Sequence, residues 1–467
     1  MRSWQLNALA ATEALTQGDV TAVELVTGHL ERIAAVNPQV NAVTNVLTDQ
    51  ALAAAADLDR RRSLGQPLGP LAGAVFTVKE NIHVAGSATT HGAAHFRDLV
   101  PDTDAPPVRR LRAAGAIPIA RTNMSTLSIN GHHSSELYGE TRNPWDPTRT
   151  PGGSSMGDSV AVATGMTQLG LGNDSGGSIR MPAVLAGVAG LKPSYGRYPL
   201  DHRLGAGDNP TLASQLFPVD GPIARSVADL RAVHQVLAGT DPVDPRAVPV
   251  PCEGPRPDGP IRVGVVTDPD GQGVHPDVRA AVAAAAEALT DAGYLLTEVE
   301  LPRFADALEG YRKLVTTEFA LVWPRLSTVL SEADRHHMAA YLDLVEPADL
   351  AEYVQLPALR LAVQREWALL MRDHPLILGP VHTDQPAAAT PLTGDPREFH
   401  QAATALRLCS ASTFVGVPAV AVPTGVADGL PQGVQVIGQP YREDLCLAAA
   451  RAVEDRLGVL TPRDPVG

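Results

Sequence analysis

Two stretches read together decide the fold class: Leu71-Ala-Gly-Ala-Val-Phe-Thr-Val-Lys79, and Val108-Arg-Arg-Leu-Arg-Ala-Ala-Gly-Ala-Ile-Pro-Ile-Ala120. The first is apolar almost without a break through Val78, which predicts a strand buried on both faces, because a half-exposed strand alternates apolar with polar residues. The second predicts a helix over Val108–Ala114 stopped by Gly115, then another buried strand over Ala116–Ala120. Strand, helix and strand in alternation predict an α/β fold, a sheet covered by helices.

Working outward, the first sixty residues read as helices. Ala22–Val36 has apolar residues at helical spacing, with Thr21 as N-cap and Asn37-Pro38 as the stop, and Ala51–Arg62 is a second helix. Residues 143–196 are dense in glycine, serine and proline yet crossed by apolar segments such as Val160–Met166. A flexible linker would be polar throughout, so this is ordered glycine-rich backbone crossing a core. Residues 240–260 are rich in proline and aspartate and mark a loop or boundary. A strand over Ile261–Val266 and an alanine-rich helix over Asp277–Ala292 follow, then helical patterns to about Met371. Leu376–Pro380, Ala419–Pro423 and Gly433–Ile437 read as strands, and Leu445–Leu457 as a closing helix. The divisions are a helical segment 1–62, a core 63–240, a variable helix-rich part 241–400 and a return to the core at 401–467.

Of the 467 residues, 44% are hydrophobic and 19% charged, the balance of a folded soluble chain. A net charge of -14 argues against nucleic acid and anionic membrane as partners, since both need a basic footprint. There is no signal-peptide pattern and no apolar run of membrane-spanning length, so a cytoplasmic location is expected. Cys252, Cys409 and Cys446 have neither zinc nor CxxC spacing and read as small buried hydrophobes. Among 37 basic residues only Lys79, Lys192 and Lys313 are lysines. A lysine retained inside an apolar stretch calls for a reason specific to an amine that can lose its proton.

Common catalytic motifs are absent: no lysine three residues after a serine, no phosphate loop, no HExxH helix. The neighbouring pairs His132-His133 and His336-His337 cannot face one another on a helix or strand, and no metal is expected. What remains is Lys79 with two serine-bearing glycine turns, Pro151-Gly-Gly-Ser-Ser155 and Asp174-Ser-Gly-Gly-Ser-Ile-Arg180. Taken singly, the lysine could be one snorkelling from a strand end and the turns could merely need positive φ. Taken together they offer more. Burial lowers the proton affinity of a lysine and makes it a usable base. Successive backbone N–H groups of Ser175, Gly176, Gly177 and Ser178 can converge as an oxyanion hole, beside which Ser178 would act as nucleophile.

At these residues the chain resembles the amidase signature family. The likeness runs through Val78-Lys-Glu-Asn81, Arg121-Thr-Asn-Met124, Asn143-Pro-Trp-Asp-Pro147, Arg149-Thr-Pro-Gly-Gly-Ser-Ser155, Asp174–Arg180, Gly190-Leu-Lys-Pro193, Gly221-Pro-Ile-Ala-Arg-Ser226 and Gly416-Val-Pro-Ala419, in the family's order. The resemblance implies a single large α/β/α domain around a mixed sheet. It also implies a Ser–cis-Ser–Lys triad of Ser178, Ser154 and Lys79, with the cis bond at Ser154. Ser155 would orient the relay, Asp174 and Arg180 would hold the loop, and no cofactor is implied. The partner expected is a small-molecule amide, and because relatives are often homodimers a homodimer is a candidate assembly.

Two departures stand out. The family usually reads Gly-Gly-Ser-Ser-Gly-Gly-Ser, but here Met156 replaces a glycine and Asp158 the last serine. Met156 would be strained if its backbone needed positive φ, so an adjusted loop and a reshaped site are expected there. Met124, Met156, His132 and His133 are the candidate substrate-pocket residues. Two other readings keep the triad: acyl transfer to an amine, or ammonia release as part of an amidotransferase, whose characteristic tyrosine-containing stretch is absent from the later half. A catalytically silent binding protein is a third, resting only on the altered Ser-Ser-Met-Gly-Asp158 block. The low aromatic content, 4%, and the absence of an amphipathic membrane helix argue against a lipid amide.

Overall fold

The computed structural model describes residues 2–129, 134–201, 209–342, 345–390 and 395–466. In chain order its strands are β1 (Val43–Val46), β2 (Val75–Lys79), β3 (Ile117–Thr122), β4 (Ser134–Ser135), β5 (Gly139–Glu140), β6 (Leu169–Asp174) and β7 (Ala189–Lys192), then β8 (Val219–Ala224), β9 (Arg262–Val265), β10 (Leu295–Glu298), β11 (Leu376–Pro380), β12 (Ala419–Ala427) and β13 (Leu430–Gly438). Eleven of them form one sheet in the order β1-β3-β2-β6-β8-β7-β12-β13-β11-β9-β10, and β4 pairs with β5 alone. β3, β2 and β6 run parallel, as do β11, β9 and β10. The strands between them are antiparallel, so the sheet is mixed.

The predicted buried strands are there because side chains alternate across the sheet and both sides are covered. Phe76, Val78, Leu169 and Leu171 join one core cluster with apolar side chains of the helices Val227–Leu237, Pro276–Asp291 and Glu443–Leu457. Val75, Thr77 and Lys79 alternate to the opposite face, where the helix Met156–Ala163 packs. That helix lies very close to the sheet because glycines make room for it. A β-carbon at Gly170 would come within 2.7 Å of Asp158 Cβ, and one at Gly172 within 2.6 Å of Ser155 Oγ. Gly157 is pressed on backbone from two other segments: a β-carbon there would meet the amide and carbonyl of Asn123 at 2.5 Å and the Ala42 carbonyl at 2.6 Å. The glycine-rich stretch is thus ordered core, as its apolar content suggests.

Arg121 secures the turn that follows β2. Fully buried, it donates to the carbonyls of Lys79 (3.0 Å), Ile82 (2.8 Å) and Ala88 (2.7 Å), and to Ser87 Oγ (3.3 Å). A guanidinium suits this because its five N–H donors lie in one rigid plane and it keeps its charge when buried.

The helix predicted to stop at Asn37-Pro38 continues through Pro38 to Val40 and ends at Asn41, which takes a left-handed φ of 50°. Proline near the end of a helix forfeits one backbone bond without blocking a short remaining turn. Its start is as read, with Thr21 and Glu24 forming a reciprocal capping box. Strand β1, inside the segment read as wholly helical, pairs antiparallel with β3. No helix among the described residues is long and apolar enough to cross a membrane.

Because backbone surrounds Gly157, Gly157→Ala should lower unfolding free energy by about 1–3 kcal/mol through overpacking. Urea denaturation with an unchanged midpoint would show that the contact yields.

Candidate active site

Lys79 is the last residue of β2 and its side chain is fully buried. Its amine donates to Ser154 Oγ and to Asn173 Oδ1, both at 2.7 Å. Asn173 is oriented in turn, since its Nδ2 donates to Asn81 Oδ1 at 2.9 Å. Burial pulls the lysine down from its ordinary value to about 7, against the opposing pull of Asp158, Asp174 and Asp220. A lysine of that kind exchanges a proton near neutral pH, as a base must.

Ser154 follows a cis peptide bond from Gly153. The Ser155 amide donates to the Ser178 carbonyl at 3.2 Å, and Ser155 Oγ donates to the Asn173 carbonyl at 3.2 Å. Through these bonds the two glycine-serine turns, distant in sequence, are held side by side with Lys79 between strand end and turn.

The second turn is organised around Asp174, which ends β6. Its Oδ1 accepts from the amides of Gly176 (3.1 Å) and Gly177 (2.8 Å), and its Oδ2 from those of Ile179 (3.2 Å) and Arg180 (3.4 Å). The carboxylate therefore engages two of the amides read as oxyanion donors and passes over that of Ser178. Arg180 pairs with both carboxylate oxygens at 3.0 Å in a fully buried bridge, and its remaining donors reach Ser412, Gln435, Thr413 and the Cys409 carbonyl. Burial would raise Asp174, but the Arg180 charge outweighs it and holds the carboxyl well below the usual carboxylate range. Gly177 takes φ +127°, which a side chain would resist. From the helix Phe304–Leu326, Tyr311 donates its hydroxyl to the Ser175 carbonyl at 2.7 Å.

Lys79, Ser154, Ser155, Asp174, Arg180 and the turn Ser175–Ser178 are thus brought to one place. Met156 opens the helix Met156–Ala163 with no positive φ, so methionine is unstrained there. Both Met156 and Met124 are fully buried. His132 and His133 lie outside the described residues. His337, of the other pair, packs its ring against Phe399 at 4.0 Å between centroids. Among the described residues no group of three or more histidine, cysteine or acidic side chains is placed to hold a metal ion.

Three neighbours escape a reading of the sequence. Asn173 adjoins a motif already singled out, so its position is a usable signal. Asp220 reaches the site because β8 pairs antiparallel with β6, setting it opposite Asn173. It is buried, and burial pushes it up to about 7 in spite of Lys79 and Asn173. Asp220, like Asn173, adjoins a block already singled out, Gly221–Ser226, whereas Tyr311 comes from the helix-rich part of the chain and carries no local sequence signal.

Comparison with known proteins fits this geometry. The Amidase family profile matches residues 24–447. An indoleacetamide hydrolase of Bradyrhizobium diazoefficiens is 39% identical over 472 residues, covering 98% of this chain and 88% of that protein. The A component of a glutamyl-tRNA(Gln) amidotransferase, from Salinispora tropica, is 34% identical over 486 residues, covering 96% of each. Among solved structures, a 6-aminohexanoate cyclic dimer hydrolase complexed with substrate superposes with a TM-score of 0.84 at 27% identity, covering 100% of this chain and 99% of the other. With its mixed sheet, its cis-bonded serine beside a buried lysine, and a profile match across nearly its whole length, this chain belongs to the amidase family.

Proposed function

We propose that this protein hydrolyses a carboxylic amide to a carboxylate and ammonia or an amine, through an acyl intermediate on Ser178. The observation that carries this reading is the 2.7 Å contact between the buried Lys79 amine and the hydroxyl of the cis-bonded Ser154. Among the described residues no acid is in hydrogen-bond contact with this lysine, and its amine is bonded instead to a serine hydroxyl. That arrangement suits proton transfer and not an ion pair.

In the reaction proposed, Ser178 Oγ attacks the amide carbon. Its proton passes to Ser154, whose own proton moves to Lys79. Of the amides read as oxyanion donors, Asp174 leaves those of Ser175 and Ser178 unengaged, so the carbonyl oxygen is received there. The Gly176 and Gly177 amides, held by Asp174, fix the shape of the turn around that position. The C–N bond breaks as the proton returns from Lys79 through Ser154 to the nitrogen, releasing ammonia or amine. Water then attacks the ester carbon and gives a proton to the same relay. The carbon–Ser178 bond breaks, the relay reprotonates Ser178, and the acid leaves as the carboxylate once it gives water's remaining proton to solvent or to the released ammonia or amine. Asp174 and Arg180 hold the turn, and Met124 and Met156 furnish apolar wall.

The 39% identity to an indoleacetamide hydrolase supports a primary amide of an aryl-substituted acetic acid as the substrate class. The similarity to an amidotransferase component supports a second reading, in which released ammonia is passed to a partner. Incubation with indoleacetamide should yield the free acid and ammonia in equal amounts. If glutamine alone is turned over, and only with an added partner protein, the second reading replaces the first.

A fluorophosphonate should add once to the wild type and not to Ser178→Ala, read by intact mass. An adduct surviving in that variant would remove Ser178 from the nucleophile's role. Ser154→Ala and Lys79→Ala should each lower kcat by about 10²–10⁴-fold. Lys79 accepts a proton only as the neutral amine, so kcat/KM should fall as pH drops through about 7, roughly tenfold per unit below it. A flat profile from pH 5 to 8 would exclude Lys79 as the base.

A further inference from the structure

Asp158 stands where the family pattern has serine, and the structure gives this carboxyl a built niche against the relay. It is fully buried in the first turn of the helix Met156–Ala163. Its side chain rests on the bare surface of Gly170 in β6, with its Oδ1 3.3 Å from where a β-carbon there would lie. Thr77, opposite Gly170 in the β2–β6 pairing, donates its hydroxyl to Asp158 Oδ1 at 2.8 Å. The other oxygen, Oδ2, is also buried, and the Thr122 hydroxyl on β3 acts on the carboxyl together with that of Thr77. Thr77 and Lys79 are two residues apart on β2 and so share one face, about 6.6 Å apart along the strand. The carboxyl therefore sits one step along the sheet from the amine, with only buried side chains around both.

The charged groups facing this pair are few. Asp174 from β6 is engaged by Arg180. Asp220 from β8 faces Lys79, and Arg121 from β3 faces Asp158 while its donors are spent on backbone carbonyls and Ser87. A buried ammonium is unfavourable unless a negative charge lies close. Acylation places a positive charge on Lys79, and Asp158 is the carboxyl that the helix beside Ser154 delivers to the same face.

We propose that Asp158 is a positioning residue of the relay, whose carboxylate stabilises the Lys79 ammonium formed when Ser178 gives up its proton. The inference rests on the amidase reading above. Burial raises Asp158 well above an ordinary aspartate, opposed first by the Thr77 and Thr122 hydroxyls and then by the Lys79 and Arg121 charges, so the carboxyl and the amine titrate as a pair. Losing the carboxylate leaves the neutral amine favoured. The relay then stays deprotonated to lower pH but holds the transferred proton less well.

The test is the pH dependence of fluorophosphonate labelling of Ser178, together with kcat and KM on the amide, in the wild type, Asp158→Asn and Asp158→Ser. Both variants should place the acid limb roughly one pH unit below the wild type, the size a neighbouring charge contributes. Both should lose kcat about tenfold at the plateau with KM little changed. Asparagine can still accept from Thr77 and serine restores the family's residue, so at least one variant should keep the fold, checked by circular dichroism. A merely structural aspartate would lower the labelled fraction without moving the limb. An unmoved limb in a folded variant overturns the proposal and leaves the amidase reading standing. Absence of labelling in the wild type at any pH would overturn the relay reading itself, and this inference with it.

Discussion

A primary amine buried at the end of a strand is the constraint on which this site depends. Lys79 is closed off from solvent, so its polar contacts must come from the protein. Among the described residues it has two, the Ser154 hydroxyl and the Asn173 side chain. Close backbone approaches and one cis bond surround them. Gly170 and Gly172 leave the sheet bare so that a helix can lie on it, Gly157 lets that helix touch Asn123, and Ser154 is reached through a cis bond. Arg121 then binds the backbone carbonyls of Lys79 and Ile82 and so fixes the outgoing turn of β2 that carries the amine.

The second support is the Asp174–Arg180 pair. A fully buried ion pair gives little net stability compared with apolar side chains of the same shape, yet removing one partner costs several kcal/mol, on the order of 3–5. Its value here is geometric. Asp174 gathers four amides of the turn that carries Ser178, and Arg180 links that turn to the helix Arg407–Val415 and to β13. Tyr311 adds a hold from the opposite side. The turn that carries Ser178 is thus fixed from three parts of the chain, which is the preorganisation that the proposed attack by Ser178 calls for.

Much of the fold is legible in local pattern because this sheet is covered on both faces and its strands are therefore continuous apolar runs. Leu376–Pro380 has the same bounds in sequence and structure for that reason. β1 is not legible because it is a short edge strand, Val43–Val46, with its outer residues exposed. Pro38 misleads because proline marks the end of most helices but does not forbid one last turn. For Met156 the condition for strain, a positive φ, is not met, because the residue lies at a helix start where a side chain is allowed.

The sequence by itself determined the chemical identity of the site. A lone lysine in an apolar strand and two glycine-serine turns are local facts, and the backbone conformation of a tight turn is written in its own few residues. Tertiary structure alone decided what surrounds that lysine. Asn173 and Asp220 meet through an antiparallel pairing, Asp158 reaches β2 because Gly170 lacks a side chain, and Tyr311 arrives from a helix far along the chain. Charge and burial act through space, so which carboxyls face a buried amine depends on strand order and helix placement, and no short stretch of sequence contains either.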